Sequence, residues 1–595
     1  MITALRSLFE IYGIEGYIVP VNDEWQNESP PPDKARLHWL TGFSGSNGFL
    51  LITQAQLLFY TDSRYILQAK LELSPDFTIC DMQDHDAHSH LPMLLPDSKK
   101  FNIGYDPMLS TARSITYYEG KFGKYGFKVS PIEENLIDKI WKNKPSTMST
   151  SAYLLDIHYT GLSSSAKIRQ ACSLIDTKSN YLLLTNPASI CWLLNIRGGD
   201  IPYSPLLLTY LLLNKEGAGH VLFVEPGKIP DSVMYELDKL HIAVTSIHDV
   251  KEHFLQLLRN TQNIELDPQQ VPIWFLNNDK DNRVIGKTDC CLLLKACKNK
   301  VELDGMRQAH LYDGIALCKF LCWLYQSLEQ GKEISEIEAS GKLLQLRQQE
   351  MEFQYPSFAA ISAYGSHSAI VHYSATKDTN CSFGLRSQFY PNNENIYLFD
   401  SGGQYKCGTT DVTRTIAIGK PKQQHKDMFT AVLKGHILLA SARFPINTTG
   451  AQLDSFARYY LWKQGSDYGH GTGHGVGHFL CVHEGPHNIS KLSTQVELQP
   501  GMVVSIEPGY YVEHMYGIRI ENLYIVKKSE VSDAFLEFEV LTIAPIDLSL
   551  VDFNKMNREE ADWLNKYHDI VKEKLSPHLD HSEKAFLANS VQQIR

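Results

Sequence analysis

Residues 396–418 read IYLFDSGGQYKCGTTDVTRTIAI. Two runs rich in β-branched and aromatic residues, IYLFD (396–400) and DVTRTIAI (411–418), flank a ten-residue stretch, the pattern of two strands joined by a loop. Asp400 ends the first run and Asp411 opens the second. If the strands pair, both carboxylates lie at one end of the hairpin. An Asp in a turn is more often a cap than a ligand, so this pair alone decides nothing.

A second strand pair is expected at MVVSIEP (502–508) and GIRIENLYIV (517–526). Alternate strand residues share a face. That puts Ser505 with Glu507, and Arg519 with Glu521, opposite apolar neighbours. A Glu in an otherwise apolar strand is costly unless it is paired or binds a metal. The bland alternative is an Arg519–Glu521 ion pair on a solvated face. Between the two hairpins lies DYGHGTGHGVGHFLCVHEGPHN (467–488), with His470, His474, His478, His483 and His487. Glycine occupies every second position from 469 to 477, which lets backbone and ligands approach closely.

Taken together, Asp400, Asp411, Glu507 and Glu521 bring four negative charges and His474 a nitrogen. Clustered carboxylates repel and take up protons unless neutralised, and two divalent cations balance four charges. An oxygen-rich set with one imidazole suits Mn, Co or Fe(II) better than a structural zinc site. Such a pair polarises a carbonyl and generates hydroxide at neutral pH, which is the chemistry of hydrolysis. Two other patterns are rejected. His483-Glu484-Gly485-Pro486-His487 matches H-E-x-x-H, which works only on a helix, and Gly485 with Pro486 disfavours one. The alternating glycines do not spell G-x-G-x-x-G, and the sequence contains neither a P-loop nor a G-x-S-x-G elbow.

The composition is that of an ordinary soluble globular protein. The 595 residues, 43% hydrophobic, allow about four domains, or three with one large. Lys+Arg 56 against Asp+Glu 67 leaves a net charge of −11, which argues against nucleic acid as the main partner. Eleven cysteines without a C-x-x-C pair suit a reducing cytosol rather than a disulfide framework. The N-terminus lacks the charge pattern of a signal peptide, and no apolar run is long enough to span a bilayer. A cytoplasmic protein without membrane contact is expected.

Along the chain, GYIVP (16–20), GFLLIT (48–53) and LLFYTD (57–62), then a helix from Arg64 to Leu73, read as an α/β unit. A Ser/Thr/Lys-rich stretch around 143–166 reads as a linker. A second α/β unit has strand candidates at 181–186, 204–214 and 220–225. It shares the first unit's layout without a residue-level repeat. Helices are expected at Val301–Gln330, Ile334–Gln349 and 555–575, with the last twenty residues poorly ordered.

At this point the chain resembles a known family. Asp400, Asp411, His474, Glu507 and Glu521 follow the order of the metal ligands of pita-bread metallopeptidases, which include methionine aminopeptidases, prolidases and aminopeptidase P. The longer strings DSGGQYKCGTTDVTRT, DYGHGTGHGVG, VHEGP, EPGYY and GIRIEN are similar to the three-domain, cytosolic-type Xaa-Pro aminopeptidases. So are TGFSGSNG, TDSRYILQA, NIRGGDIPYSP and DWLNKYH outside the site. The resemblance implies two N-terminal creatinase-like α/β domains (1–155 and 156–292) and a C-terminal pita-bread α+β catalytic domain with a helical tail (293–595).

The resemblance also implies roles. Asp400 would hold one metal, Asp411 and Glu521 would bridge both, and His474 and Glu507 would complete the second. Manganese is expected, with Co, Zn and Fe(II) compatible. A hydroxide between the metals would attack the scissile carbonyl, with Glu507 as general base. His372, in AIVHY, would stabilise intermediates and His483 would contact the scissile carbonyl region. His470 and Arg519 would shape the proline side of the cleft. The substrate would be a peptide with proline second, cut before the proline, and the protein a homodimer. Prolidase, a non-catalytic peptide-binding module and a metal-free creatinase-type hydrolase are the alternatives. Two features depart from the family. Cys407 stands where relatives carry an acid, and the span from His372 to Asp400 is long. Cys407 and Cys481 would make activity oxidation-sensitive if exposed.

Overall fold

The computed structural model describes residues 1–83, 101–147, 150–385, 396–492 and 495–594. The chain forms two compact units, Met1–Asp156 with Leu162–Cys291, and Ile157–Gly161 with Leu292–Arg595.

Among the described residues the first unit contains two six-stranded sheets. One is built from β1 (Gly16–Pro20), β2 (Phe49–Thr53), β3 (Leu57–Thr61), β4 (Phe77–Asp81), β5 (Phe101–Tyr105) and β6 (Phe127–Pro131), in the order β4-β3-β2-β1-β5-β6. The other uses β7 (Tyr181–Leu184), β8 (Thr209–Asn214), β9 (His220–Val224), β10 (Ile242–Ser246), β11 (Ile264–Leu266) and β12 (Val284–Gly286), in the order β10-β9-β8-β7-β11-β12. The pairing senses repeat strand for strand. The first three strands of each sheet pair antiparallel, and the remaining pairings are parallel. The shared layout seen in sequence is thus a shared topology filled by different side chains.

Two expectations change here. The strand expected at 204–214 begins only at Thr209. Residues before it bond instead to the 198–200 segment, Gly198 N–H to Pro205 O and Asp200 N–H to Leu206 O, and Pro205 has no N–H for a ladder. The expected linker contains structure of its own, a strand Tyr153–Leu154 and a helical turn Ile157–Thr160. That turn is fastened within the second unit. The Thr160 carbonyl accepts from Asn299 Nδ2 at 2.9 Å, and the Tyr159 hydroxyl donates to Glu352 at 2.9 Å.

The second unit opens with the helix Lys300–Glu329, started by a capping box of Asn299 and Glu302. Next come β13 (Ile361–Tyr364), β14 (Ile396–Ser401) and β15 (Val412–Ala417), joined antiparallel with Asp400 opposite Thr413. The helix expected at Ile334–Gln349 starts at Glu336. The long span from His372 to Asp400 includes 386–395, which lie outside the described residues.

The strand expected at 517–526 divides. β16 (Val503–Ile506) and β17 (Gly509–Val512) lie either side of Pro508, and each takes its own partner. β18 (Tyr516–Arg519) pairs with β17, while β19 (Asn522–Lys528) pairs with β16 and with β20 (Phe535–Val540). At the break, Ile520 N–H bonds to Pro508 O and Glu521 N–H to Thr413 O, so Glu521 is tied to the Asp411 hairpin.

The C-terminus is helical rather than poorly ordered. Asp580 and Glu583 form a capping box for the helix His581–Ser590. Leu587 and Val591 are buried in the core that also takes Leu564 and Tyr567 from the helix Arg558–Leu575.

Candidate metal centre

Four loop or strand ends converge on one point. The Asp400–Asp411 hairpin end contributes two carboxylates. The glycine-rich segment contributes His474, and the β16 and β18–β19 junctions contribute Glu507 and Glu521. Donor atoms of Asp400, Asp411 and Glu521 lie within 4.8 Å of one another, as do those of His474, Glu507 and Glu521. Glu521 therefore belongs to two adjacent triads. A third set, Asp411, His474 and His483, closes at the same spacing on the more exposed side.

The glycines act by close approach. A Cβ on Gly473 would lie 1.9 Å from Ser505 O, and one on Gly475 would lie 2.0 Å from Glu484 O. Only glycine lets the His474 backbone sit against β16. There His474 N–H donates to Ser505 Oγ at 2.9 Å, and Ser505 Oγ–H donates to Glu507 Oε1 at 3.2 Å. The His474 Nδ1–H donates to Gly475 O at 2.9 Å. This fixes the tautomer and leaves Nε2 facing Asp411 at 3.4 Å and Glu507 at 3.5 Å.

The electrostatics are those of a site built for positive charge. Burial pushes the Asp400 carboxyl up to about 7, against the opposing pull of Arg519 and with the charge of Asp411 adding to it. Burial and then Asp411 drive Glu521 well above the carboxylate range, and burial raises Glu507. Burial would lower the His474 imidazole, but the Asp411 contact and the Glu507 charge hold it up at about 9. Asp400 Oδ1, Asp411 Oδ1 and Glu521 Oε1 are buried with no hydrogen-bond donor among the described residues. Buried carboxylate oxygens without donors are expensive, and cations in the two triads would satisfy all three at once. The residues present fit a pair of divalent ions.

Arg519 does not pair with Glu521 on a solvated face. Glu521 is buried, and Arg519 bonds Asp400 Oδ2 at 2.7 Å. Its guanidinium also donates to the Tyr511 hydroxyl at 2.8 Å and to Val371 O at 3.4 Å, beside His372. The Tyr511 hydroxyl bonds His470 Nε2 at 2.9 Å, and His470 Nδ1–H donates to Gly471 O at 2.7 Å. A directional chain thus runs from Arg519 through Tyr511 to His470. Tyr511, Thr413, whose hydroxyl donates to Glu521 at 2.8 Å, and Ser505 were not singled out from sequence as site residues. Their signal was available: the tyrosine stands in EPGYY, and Thr413 and Ser505 lie two residues from Asp411 and Glu507 respectively.

His483 lies 4.4 Å, ring to ring, from His474, whereas His487 is buried and bonds Val503 O at 2.8 Å through Nε2. The segment is not helical. Glu484 turns to Lys295 at 3.3 Å and Lys298 at 3.8 Å, so Glu484 and His487 serve the scaffold while His483 faces the candidate site, and H-E-x-x-H is not a zinc motif here. Cys407 is buried, and burial pushes its thiol up to about 12, so it is not a reactive thiolate. Cys481 is half-buried.

The chain matches the metallopeptidase family M24 over residues 304–528 and the C-terminal region of peptidase M24 over 534–594. Residues 1–140 and 143–302 each match a creatinase/prolidase N-terminal domain. Aminopeptidase P1 of Arabidopsis thaliana is 32% identical over 650 residues, covering 100% of this chain and 99% of that protein. Xaa-Pro aminopeptidase app-1 of Caenorhabditis elegans is 36% identical, covering 95% of this chain and 92% of that protein. The crystal structure of the X-prolyl aminopeptidase of Caenorhabditis elegans, described as a cytosolic enzyme with a di-nuclear active site, superposes with a TM-score of 0.93 at 33% identity. It matches 100% of this chain and 99% of that one. With a family match on every part and relatives aligned over nearly their whole length, the chain belongs to the Xaa-Pro aminopeptidase (aminopeptidase P) family of M24 metallopeptidases.

Proposed function

We propose that the protein is a dinuclear-metal aminopeptidase that releases the first residue of peptides with proline in the second position. The observation that carries this is the pair of donor triads sharing Glu521, lined by three buried carboxylate oxygens without donors among the described residues. Asp400, Asp411 and Glu521 would hold one ion, and Asp411, His474, Glu507 and Glu521 the other. Bound there, two divalent cations supply Lewis-acid polarisation of the scissile carbonyl and an activated water at neutral pH.

The chain's own groups do the rest. Glu507, raised by burial, takes the proton from the attacking water as general base and passes it to the leaving proline nitrogen. His483 and His372 bond the scissile carbonyl region. Arg519 and Tyr511 hold His470 against the proline side of the cleft. An X–Pro bond has no N–H and a fixed φ. A pocket that fits the ring therefore selects it better than one that reads an extended backbone. Manganese as the metal, a cytoplasmic location and a homodimer belong to the same proposal. Among the described residues no helix is long and apolar enough to cross a membrane.

The test is hydrolysis of Arg-Pro-Pro, Arg-Ala-Ala and Arg-Pro by protein stripped of metal and reloaded with Mn. Cleavage of Arg-Pro-Pro alone, restored by metal, is the expected result. Cleavage of Arg-Pro alone would assign the protein as a prolidase. Folded, metal-loaded protein that cleaves none of the three would be a peptide-binding module.

A further inference from the structure

In the first unit an open cleft of about 660 Å³ lies between the helix Ser164–Leu174, the β8–β9 hairpin and the turn that leads into β10. It belongs wholly to the second six-stranded sheet and its helices. Five of its lining residues are basic in type, Arg169, Lys215, Lys239, His220 and His241, and none is acidic. In a chain with a net charge of −11, that local excess of positive charge is the reverse of the average.

Two of these groups, Arg169 and Lys215, are poorly compensated cations. Arg169 donates to the neighbouring Ser165 hydroxyl at 2.6 Å, and Lys215 to the Asp176 carbonyl at 2.7 Å. Among the described residues neither has a carboxylate partner. Lys239 alone has one, Glu236 at 2.8 Å on the exposed surface. The His220 imidazole is fully buried, with Nδ1 accepting from Asn214 N–H at 3.0 Å and Nε2 without a partner among the described residues. Burial lowers its proton affinity, and the like charge of His241 lowers it further. Concave surfaces focus the field of the charges that line them, so gathering like charges here is unfavourable unless an anion shares the site.

The donor types indicate which anion. Arg169 offers a planar fork suited to bidentate oxygens, Lys215 a point charge, and Ser165 a hydroxyl one turn before Arg169. We propose that this cleft binds a small, multiply charged anion of the phosphate-ester class, at a site separate from the metal centre. The anion would bridge Arg169 and Lys215.

The test uses the full-length, Mn-loaded protein and, in parallel, the metal-stripped protein. Each is titrated calorimetrically with inorganic phosphate, glucose 6-phosphate and tricarballylate at constant ionic strength in chloride. Saturable binding of a phosphate-bearing probe is expected with and without metal. Arg169→Ala, at an exposed position, and Arg169→Ala/Lys215→Ala should weaken it by about tenfold or more, the scale of a lost charge-assisted hydrogen bond. Peptide turnover without added anion should stay within about twofold of the parent. Tighter binding of tricarballylate, with the same loss in the variants, would support the site and assign its ligand to polycarboxylates. Affinity unchanged in the double variant, or binding seen only with metal present, would overturn the proposal.

Discussion

The Arg519 guanidinium meets Asp400 Oδ2 at 2.7 Å, two residues before Glu521 in the chain and one hairpin away from Asp400. Both partners are largely buried, at 2% and 11% side-chain exposure. The ion pair therefore acts on the metal site directly. It opposes the burial that already holds the Asp400 carboxyl at about 7.

Replacing Arg519 by Lys keeps the charge but loses the fork that bonds Asp400, Tyr511 and Thr413 together. Without the Arg519 hydrogen bond the Asp400 carboxylate is no longer held in place beside Asp411 and Glu521. Bound metal should fall from two ions towards one. The value of kcat/KM should drop about 10- to 100-fold, the usual cost of losing a group that orients a ligand. Metal per chain by plasma mass spectrometry, alongside kcat/KM, checks this. Two tightly held ions with normal turnover would show that Arg519 only fills space.

How far the sequence was legible depends on range. The Asp400–Asp411 hairpin, the glycine-rich histidine segment and the helices Lys300–Glu329, Glu336–Arg347 and Arg558–Leu575 follow from local pattern. The glycines mark places where Ser505 O and Glu484 O arrive within 2.0 Å of an added Cβ, which pattern alone could flag but not explain. The Arg519–Glu521 ion pair weighed as the bland alternative does not form, because a strand rule assigns faces within one strand and not the partner that each side chain meets. Here the chain changes partner between β18 and β19, where Ile520 N–H bonds Pro508 O and Glu521 N–H bonds Thr413 O, and that is a tertiary choice. Tyr511 was missed because its role exists only through Arg519 and His470. The capped C-terminal helix was readable as D-x-x-E at Asp580–Glu583, and an assumption about chain ends hid it.

Glu336 carries a second prediction. Its buried carboxylate accepts from Tyr364 N–H at 2.7 Å, His367 Nδ1 at 2.8 Å, the Tyr373 hydroxyl at 3.0 Å and Cys381 N–H at 2.9 Å. It thereby ties both ends of the segment that carries His372. Glu336→Gln should shift that segment and lower kcat about tenfold or more, because small misplacements at a reacting centre are costly. Metal stoichiometry should not change. Glu336→Asp should recover part of the loss. A fall in metal content equal to the fall in rate would place Glu336 in the scaffold of the metal ligands instead.

Gly475 and His487 give a contrast within one segment. A Cβ at 475 would lie 2.0 Å from Glu484 O and 2.6 Å from the His487 ring. Gly475→Ala must therefore push His474 away from Glu507, and metal binding should be lost. His487→Ala leaves a cavity and takes from the Val503 carbonyl one of its two donors, Val476 N–H at 3.2 Å remaining, costing about 2–4 kcal/mol of stability, yet both ions should remain. Measuring metal content and thermal midpoint for the two variants separates the effects. Loss of both ions on His487→Ala would revive a zinc-protease reading of H-E-x-x-H.

The last prediction concerns acid. His436 and His568 are buried neutral, and burial, then the charge of Arg414, lowers each to about 3. His436 bonds Ile520 O at 3.2 Å and the Tyr524 hydroxyl at 2.7 Å, directly behind Glu521. The unfolded chain takes up these two protons near the ordinary histidine value of about 6.5, while the folded chain does not until about pH 3. Their contribution is therefore complete above about pH 6.5 and is lost as pH falls towards 3, at about 1.4 kcal/mol per pH unit for each group. His436→Gln can still donate to Ile520 O and accept from Tyr524, but it cannot titrate. Metal-stripped parent and variant should be compared by thermal midpoint at one scan rate from pH 7.5 to 4. The variant should be less stable at pH 7.5 and lose stability more slowly on acidification. Because both proteins share every other titrating group, a parallel pair of curves would remove His436 from the acid response and leave it to carboxylates and His568.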